Sequence, residues 1–162
     1  MAKKVVLGFS GGLDTSFAAV YLRKELNLEV HSVYINTGGL NNEELDQLSK
    51  KAFELGVKSH LNIDAKNDFY NKIIKYLIFG NVLKNHNYPL SVSSERLIQA
   101  EAISAYADEI DSEYIAHGST GAGNDQIRFD TVFKIKNPLR EVLTPIRDLK
   151  ISRKQEVEYL QN

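Results

Sequence analysis

The sequence predicts an α/β protein of three layers, in which an open parallel sheet of about five strands lies between helices on both faces. Short segments rich in β-branched and aromatic residues alternate with segments whose apolar residues recur at helical spacing. Such alternation favours a parallel sheet with right-handed crossovers. Glycine-rich turns follow the first and fourth strands, and the strand order 3-2-1-4-5 would bring both turns to one site, where the order reverses. The strands are expected at residues 4–9, 29–35, 58–63, 113–117 and 141–144.

Capping and breaking residues set the expected bounds of the helices. Ser, Asn and Asp favour helix starts, whereas Gly and Pro favour helix ends. Residues 85–89 are expected to form a loop, because Asn and Pro favour turns. The helix signals are an N-cap at Asn42 with an end at Gly56, a break near Gly80, an N-cap at Ser93 or Ser94, a start at Asn124 or Asp125 with an end at 137–138, and a capping box at Ser152.

The composition predicts a globular protein with one domain, residues 1–162. Hydrophobic residues make up 43% of the 162-residue chain and charged residues 25%, which is ordinary for a domain with a sizeable core. A net charge of −1 gives no electrostatic indication of a nucleic-acid partner. The sequence lacks cysteine, which excludes disulfides, thiolate catalysis and cysteine metal sites. We find neither a signal peptide nor a membrane span, so the expected location is the cytoplasm.

Residues 10–16, Ser-Gly-Gly-Leu-Asp-Thr-Ser, connect the first strand to the first helix. Two residues without a Cβ let backbone N–H groups approach a ligand, and the helix N-terminus adds partial positive charge. The hydroxyls of Ser10, Thr15 and Ser16 can donate to phosphate oxygens. The loop has neither the Walker lysine nor the Gly-x-Gly-x-x-Gly spacing of dinucleotide binders. It is therefore a candidate phosphate site of another kind, and the alternative is an ordinary turn with Asp14 or Thr15 as N-cap.

Residues 117–125, His-Gly-Ser-Thr-Gly-Ala-Gly-Asn-Asp, follow the fourth strand. The three glycines allow the backbone to wrap around a ligand, while Thr120, Asn124 and Asp125 offer a hydroxyl, an amide and a carboxylate. Arg128 lies four residues after Asn124 on the same helix face, where its guanidinium can bind a carboxylate. The alternatives are a flexible loop in which Asn124 only caps a helix, and an Arg128 that only pairs with a surface acid, Asp125 or Asp130.

A third stretch, Tyr-Pro-Leu-Ser-Val-Ser-Ser-Glu-Arg at residues 88–96, is explained on its residues alone by a turn into a serine-capped helix. Residues 10–16 resemble the PP-loop of ATP pyrophosphatases, which cleave ATP between the α- and β-phosphates. Together, residues 10–16, 88–96 and 117–129 closely resemble the argininosuccinate synthase family. This resemblance implies a Rossmann-like fold of the adenine nucleotide alpha hydrolase-like group. It runs along essentially the entire chain, which matches only the N-terminal, nucleotide-binding part of the family.

The resemblance implies a ligase that forms a C–N bond. The family uses ATP and Mg²⁺ to condense citrulline with aspartate, in arginine biosynthesis and the urea cycle. By resemblance, ATP would be bound by Gly8, Phe9, Ser10, Gly11, Gly12, Leu13, Asp14, Thr15, Ser16, Ile35, His117 and Gly118. Citrulline would be bound by Tyr88, Ser93, Asn124 and Arg128, and aspartate by Thr120, Asn124 and Asp125. Catalytic roles are assigned to Asp14, Ser16 and Asp125, and no residue is assigned as a metal ligand.

Three residues, Asp14, His117 and Ala122, affect the expected balance of charge and proton transfer around the nucleotide. Asp14 would repel a triphosphate, although a helix start favours a carboxylate by up to ~1 kcal/mol, and a bound Mg²⁺ would resolve this conflict. His117 could act as a general base or have a structural or gating role, since the attacking ureido oxygen carries no proton to remove. Ala122 stands where many relatives have Lys, so a charge that could help to neutralise phosphate is missing here.

The family protein is longer, with a C-terminal domain that completes the amino-acid pockets and takes part in a homotetramer. The last helix opens near Ser152 and meets no Gly or Pro before Asn162, so we expect an N-terminal domain that is inactive or weakly active alone. One alternative is another PP-loop enzyme, of the tRNA-modifying or amidotransferase type, although the net charge of −1 does not favour tRNA. The other is a non-catalytic module that holds ATP or AMP, which would have no use for an aspartate pocket.

Overall fold

The predicted parallel sheet and its strand order are confirmed. The computed structural model describes residues 2–161, apart from the side chain of Lys84. The strands are β1 (Lys4–Gly8), β2 (Glu29–Asn36), β3 (Ser59–Asp64), β4 (Leu83–Lys84), β5 (Tyr88–Pro89), β6 (Tyr114–Ala116) and β7 (Glu141–Leu143). Five of them form a sheet in the order β3-β2-β1-β6-β7, with every pair parallel. The order matches the predicted 3-2-1-4-5, because β4 and β5 pair only with each other in a short antiparallel hairpin.

Helices connect the strands. They are α1 (Leu13–Lys24), α2 (Asn42–Glu54), α3 (Lys66–Phe69), α4 (Lys75–Phe79), α5 (Ser91–Glu109), α6 (Asp125–Lys136), α7 (Pro145–Leu149) and α8 (Arg153–Gln161). A π-helical turn at Tyr70–Ile74 joins α3 to α4, so the two form one irregular helical segment. Within residues 2–161, none of these helices has the length and apolar character needed to span a bilayer.

Side chains of β1 point alternately into two cores, one on each face of the sheet. Val5 and Leu7 belong to the core beneath α1 and α2, which also contains Leu22 and Leu48. Val6 belongs to the opposite core, which contains residues of α5 and α6 listed here: Ile98, Ala100, Ile103, Tyr106, Ala107 and Phe133. Helices therefore cover both faces of the sheet, and its carboxyl-end edge remains available for a site.

Several local boundaries differ from those that the sequence predicts. The N-cap of α2 is Asn41 rather than Asn42, because only Asn41 stands three residues before Glu44 and forms a capping box with it. Neither Ser93 nor Ser94 caps α5: the helix begins earlier, and both hydroxyls donate to the carbonyl of Leu90. The expected loop at residues 85–89 contains β5, and α7 was not predicted because it occupies only five residues. The capping box of Ser152 with Gln155 and the start of α6 at Asp125 are confirmed.

Candidate functional site

A cavity of about 670 Å³ opens at the carboxyl ends of β1, β2 and β6. Its walls come from both glycine-rich loops, as expected for adjacent strands at a reversal of strand order. Twelve of the predicted site residues line it: Gly8, Phe9, Ser10, Gly12, Leu13, Asp14, Thr15, Ile35, His117, Gly118, Thr120 and Asp125. Gly11, Ser16, Tyr88, Ser93, Asn124 and Arg128 are not part of its lining.

The loop after β1 is held in shape by hydrogen bonds to its own hydroxyl groups. The Thr15 hydroxyl donates to the carbonyl of Gly12 at 3.3 Å and accepts from the backbone N–H of Ser10 at 3.3 Å. The Ser10 hydroxyl accepts from the N–H of Gly12 at 3.4 Å. Gly11 has a φ of +73°, and a Cβ there would lie 2.5 Å from Leu48, so this position requires glycine. The loop therefore has one defined conformation before any ligand binds.

The first turn of α1 leaves donors directed at the cavity. Gly12 is the N-cap residue of α1, and it has no side chain that could cap the helix. The alternative prediction, that Asp14 or Thr15 is the N-cap, is therefore wrong. A Cβ at Gly12 would have only the Ser10 hydroxyl near it, at 3.4 Å, and otherwise faces open space. Ser16 is 3% exposed, and its hydroxyl finds no hydrogen-bond partner within the described residues. The helix start thus combines free N–H groups with an unsatisfied hydroxyl, which is an arrangement that suits an anion.

The loop after β6 packs directly against the start of α1. A Cβ at Gly118 would lie 2.9 Å from Cγ2 of Thr15, 3.3 Å from the Thr15 backbone nitrogen and 3.4 Å from the carbonyl carbon of Asp14. Only a residue without a side chain permits this approach. Two segments about a hundred residues apart in the sequence therefore form one wall of the cavity.

His117 is buried where β6 ends. Its Nδ1 accepts from the N–H of Ser119 at 3.2 Å, and its Nε2 donates to Asp130 at 3.0 Å. The ring stacks on Phe129 with centroids 5.4 Å apart. Burial lowers the pKa of His117, although the hydrogen bond with Asp130 opposes this shift. Since the protein occupies both ring nitrogens, the geometry favours the structural role considered for His117 over that of a general base.

Asp130 links the same histidine to α7. Burial opposes ionisation of its carboxyl, but hydrogen bonds from Arg147 and His117 outweigh burial and hold the pKa of Asp130 below its ordinary value. The Arg147 guanidinium donates to Asp130 at 2.7 Å. Arg147 also donates to Gln126 at 3.1 Å, and the Gln126 amide donates to the carbonyl of Gly121 at 2.9 Å. The network therefore anchors the start of the loop after β6 and holds its middle through one hydrogen bond.

Asp125 lies between two arginines at the start of α6. It accepts from Nε of Arg96 at 3.2 Å and from Nη1 of Arg128 at 2.7 Å. In this arrangement Arg128 pairs with a neighbouring acid, as in the surface-pair alternative, and does not line the cavity. Asn124 precedes the helix without a side-chain cap. The acid that resemblance assigns to aspartate binding is thus charge-neutralised within the protein.

Of the stretch at residues 88–96, only the C-terminal end contributes residues to the cavity lining. Tyr88 is 43% exposed in β5, and the Ser93 hydroxyl donates to the Leu90 carbonyl at 3.0 Å. Neither residue reaches the cavity wall, whereas Glu95 and Arg96 do. The predicted citrulline residues Tyr88 and Ser93 are thus not part of the cavity lining that the two glycine loops form.

Several lining residues were not predicted as site residues. Glu95, Arg96 and Gln99 come from the first turns of α5, where Glu95 accepts a 2.6 Å hydrogen bond from Thr37 and Arg96 donates to Gln99 at 2.8 Å. The sequence feature that could have indicated Glu95 and Arg96 is the charged end of the 88–96 stretch. Apolar residues at the end of β2 and after it, and Arg153 of α8, carry no local motif. The unpredicted apolar and aromatic lining consists of Val33, Tyr34, Leu40, Ile103 and Phe129.

Comparison with solved structures gives the same fold. The predicted subunit of tRNA methyltransferase from Methanocaldococcus jannaschii has a TM-score of 0.60 and 21% identity, with 98% of this chain and 74% of that chain covered. The NH3-dependent NAD synthetase from Campylobacter jejuni, in complex with the nitrate ion, has a TM-score of 0.55 and 18% identity, with 74% and 48% covered. At these identities the likeness concerns the fold alone.

Sequence comparison is more specific. Residues 4–162 match the family described as "Arginosuccinate synthase N-terminal HUP domain". The argininosuccinate synthase of Methanocaldococcus jannaschii is 40% identical over 159 residues, 98% of this chain and 40% of the relative. The argininosuccinate synthase of Xylella fastidiosa is 42% identical over 147 residues, which cover 91% of this chain and 36% of that relative. The chain thus spans about two fifths of the length of these curated relatives. On this evidence, the chain belongs to the argininosuccinate synthase family and corresponds to its N-terminal HUP domain.

Proposed function

We propose that this chain binds ATP between its two glycine loops, as the nucleotide-binding domain of an enzyme that ligates citrulline to aspartate. The observation that carries the proposal is the contact of Gly118 with Asp14 and Thr15, which makes a single cavity wall from the loops after β1 and β6. Family membership supports ATP as the nucleotide.

The phosphates lie at the N-terminus of α1 in this proposal. Free N–H groups and the helix dipole attract the anion there, and the open space at Gly12 gives phosphate oxygens room to approach. The Ser16 hydroxyl is buried outside the cavity lining and lacks a partner within residues 2–161, so it would have to turn towards the loop to donate to a phosphate oxygen. The apolar residues Val33, Ile35 and Leu40 at the β2 side of the cavity suit an adenine ring.

The proposed reaction has two steps. The ureido oxygen of citrulline forms a bond to the α-phosphorus of ATP, and the bond to the bridging oxygen breaks with its electron pair leaving on pyrophosphate. The α-amino group of aspartate then attacks the ureido carbon of the citrulline adenylate and displaces AMP, so a C–N bond forms. We assign Tyr88, Ser93, Asn124 and Arg128 to citrulline, and Thr120, Asn124 and Asp125 to aspartate. Asp14, Ser16 and Asp125 would act at the reacting groups.

Mg²⁺ fits this site as an ion that arrives with the nucleotide. No cluster of three or more His, Asp or Glu residues that could hold a metal occurs between residues 2 and 161. Mg²⁺ commonly retains water and binds phosphates together with only one or two carboxylates, and Asp14 in the cavity wall is one such carboxylate. When bound, Mg²⁺ supplies positive charge that stabilises the leaving pyrophosphate.

The amino-acid pockets would be completed by sequence beyond this chain. Tyr88 and Ser93 lie away from the cavity wall, and the curated relatives are about two and a half times as long as the matched region. We therefore expect the isolated chain to bind ATP while releasing pyrophosphate far more slowly than the ~1–10³ s⁻¹ typical of enzymes.

Calorimetric titration with MgATP tests the proposal on the chain itself, and absence of binding would overturn it. Incubation with labelled ATP, citrulline and aspartate, each omitted in turn, tests the chemistry. We expect no citrulline-dependent pyrophosphate release at an enzymatic rate from the isolated chain. Such release, with both amino acids required for AMP and argininosuccinate, would support the reaction and disprove the need for further sequence.

A further inference from the structure

The C-terminal helix α8 is fixed against α1, next to the loop after β1. The ring of Tyr159 packs edge-on against Phe17 with centroids 5.0 Å apart, and its hydroxyl donates to Glu25 at 2.7 Å. Glu156 is only 2% exposed, and its carboxyl interacts with that of Asp14. The capping box of Ser152 fixes the start of the helix. These contacts give the first residue of α8 a defined position beside the loop.

That first residue is Arg153, and it belongs to the cavity wall together with Gly12, Asp14 and Thr15. Within the described part of the chain, its guanidinium makes no hydrogen bond or ion pair, although it attracts the nearby carboxyl of Glu156. Arg96, the other arginine in the wall, is already engaged by Asp125 and Gln99. Arg153 is thus the cation of the cavity lining that is available to a ligand.

The charge of the cavity makes an available cation important. Arg96 and Arg128 pair with Asp125, which leaves the carboxylates of Asp14 and Glu95 in the lining with Arg153. Burial lowers the pKa of His117, which favours its neutral form near pH 7. A nucleoside triphosphate adds several further negative charges. Since charges buried by a ligand must be neutralised, binding needs positive charge in addition to Mg²⁺.

The layout of the cavity indicates which part of the nucleotide meets Arg153. The apolar residues Val33, Ile35 and Leu40 lie on the β2 side of the loop, whereas Arg153 enters from α8. A nucleotide with its base on the apolar side would extend across the N-terminus of α1, with its phosphates directed towards α8.

We propose that Arg153 contacts the β- and γ-phosphates of the bound nucleotide and thereby selects a triphosphate over a monophosphate. The inference rests on the proposed function, because it takes the cavity to be the ATP site. A guanidinium presents paired donors to phosphate oxygens. In the ligation, the bond between the α-phosphorus and the bridging oxygen breaks with its electron pair going to pyrophosphate, and Arg153 would stabilise the charge that develops there.

The test compares Arg153→Gln with the parent chain by calorimetry, using MgATP, AMP and magnesium pyrophosphate as separate ligands. Loss of a charge-assisted contact should weaken ATP and pyrophosphate binding about 10- to 100-fold, and AMP affinity should stay within about twofold. Lys154→Gln is the matched control, because it removes the same charge from the next residue, whose ion pair with Glu158 lies outside the cavity wall. We expect this control to bind all three ligands as the parent does.

Several outcomes would overturn the inference. They are unchanged ATP affinity in Arg153→Gln, equal losses for ATP and AMP, and an equal loss in the Lys154→Gln control. Thermal unfolding of both variants identifies a folding defect, and Arg153→Lys, which retains the charge, should then recover part of the affinity if the contact is direct. If the parent binds pyrophosphate through Arg153 but does not bind ATP, the proposed function fails and the Arg153 site stands. If it binds neither, both fail.

Discussion

The loops after β1 and β6 both contain several glycines, but they are held in very different ways. The first is crossed by hydrogen bonds among Ser10, Gly12 and Thr15. The second is fixed at Gly118, whereas Cβ atoms at Gly121 and Gly123 would have no neighbour nearer than 3.8 Å and 4.0 Å. One loop is a rigid turn, and the other is a rigid start followed by an open stretch.

This difference indicates a division of roles at the proposed site. A turn already in its binding conformation costs little conformational entropy when a ligand arrives, which suits a phosphate site. The stretch from Ser119 to Gly123 is open around its glycines and is held in its middle by the hydrogen bond from Gln126 to the Gly121 carbonyl, so it has few contacts to lose and can adjust to a second ligand. Side chains added at the ligand-facing surface of the rigid loop should therefore impair ligand binding, whereas those added in the open stretch should have little effect on it.

The largest expected effect is that of Gly12→Val. Gly12 has a φ of −71°, which valine can adopt, and its Cβ would project into open space where phosphate approaches. We expect ATP affinity to fall more than about 100-fold with the thermal midpoint nearly unchanged. Gly121→Val is the matched control in the open stretch, and it should bind ATP as the parent does. Equal ATP affinity of Gly12→Val and the parent in calorimetry would show that the phosphates lie elsewhere.

Gly118→Ala comes next, because it tests the contact between the two loops. The new methyl group would meet Thr15 at 2.9 Å and backbone atoms at 3.3–3.4 Å, so the loops must move apart. Overpacking of this kind costs roughly 1–3 kcal/mol. Urea unfolding measures this loss, and Gly121→Ala provides the control that should cost almost nothing. A Gly118→Ala variant with parental stability and ATP affinity would mean that the loops need not touch.

Strand order and the meeting of the two loops were predictable because they follow from general rules of parallel sheets. Alternation of strands with helices, plus two glycine turns, was enough to place β1 beside β6. Short elements were harder to predict. The hairpin of β4 and β5 has two residues in each strand and α7 has five residues, which is too few for a periodic pattern to show in the sequence.

The site was predictable only where a backbone motif marks it. The glycines and hydroxyls of residues 10–16 carry their own signal, and most of them do line the cavity. Arg153 could not be found in this way, because its place depends on α8 packing against α1 through Tyr159. Tyr88 and Ser93 illustrate the opposite case: their assignment comes from resemblance, and they lie outside the cavity in this structure.

The third prediction concerns Glu156, whose buried carboxyl lies against Asp14 in the helix turn that follows the first loop. Burial, with the nearby Asp14 adding to it, raises the pKa of Glu156 above its ordinary value, although the nearby Arg153 opposes this shift. The folded state therefore binds this proton more tightly than the unfolded state, and the resulting stability is present at low pH and is lost as pH rises through the folded pKa. Glu156→Gln removes the titration, so it should raise the thermal midpoint by a few degrees (~2–5 °C) at pH 8 relative to the parent and by less at pH 4.

Thermal scans from pH 4 to pH 8 measure this dependence. Glu158→Gln, on the exposed side of the same helix, serves as the control, since an exposed acid should not produce the same pH profile. If the parent and Glu156→Gln have parallel stability profiles across this range, Glu156 has no raised pKa, and its carboxyl is not affected by burial and Asp14 as described.

The smallest expected effect is that of Arg128→Gln, at the far end of the open stretch. Arg128 and Asp125 have side chains that are 29% and 45% exposed, and Asp125 retains its hydrogen bond from Arg96 when Arg128 is changed. Exposed ion pairs contribute little, so the free energy of unfolding should fall by less than ~1 kcal/mol, and ATP affinity should not change. Lys72→Gln, which removes exposed pairs with Asp68 and Glu101, sets the scale for such a loss in urea unfolding. A loss well above that of Lys72→Gln would mean that Asp125 belongs to a cooperative network and that the second loop is as firmly built as the first. A loss equal to it leaves Arg128 free to exchange its partner for the carboxylate of an amino-acid substrate, which is the role proposed for it.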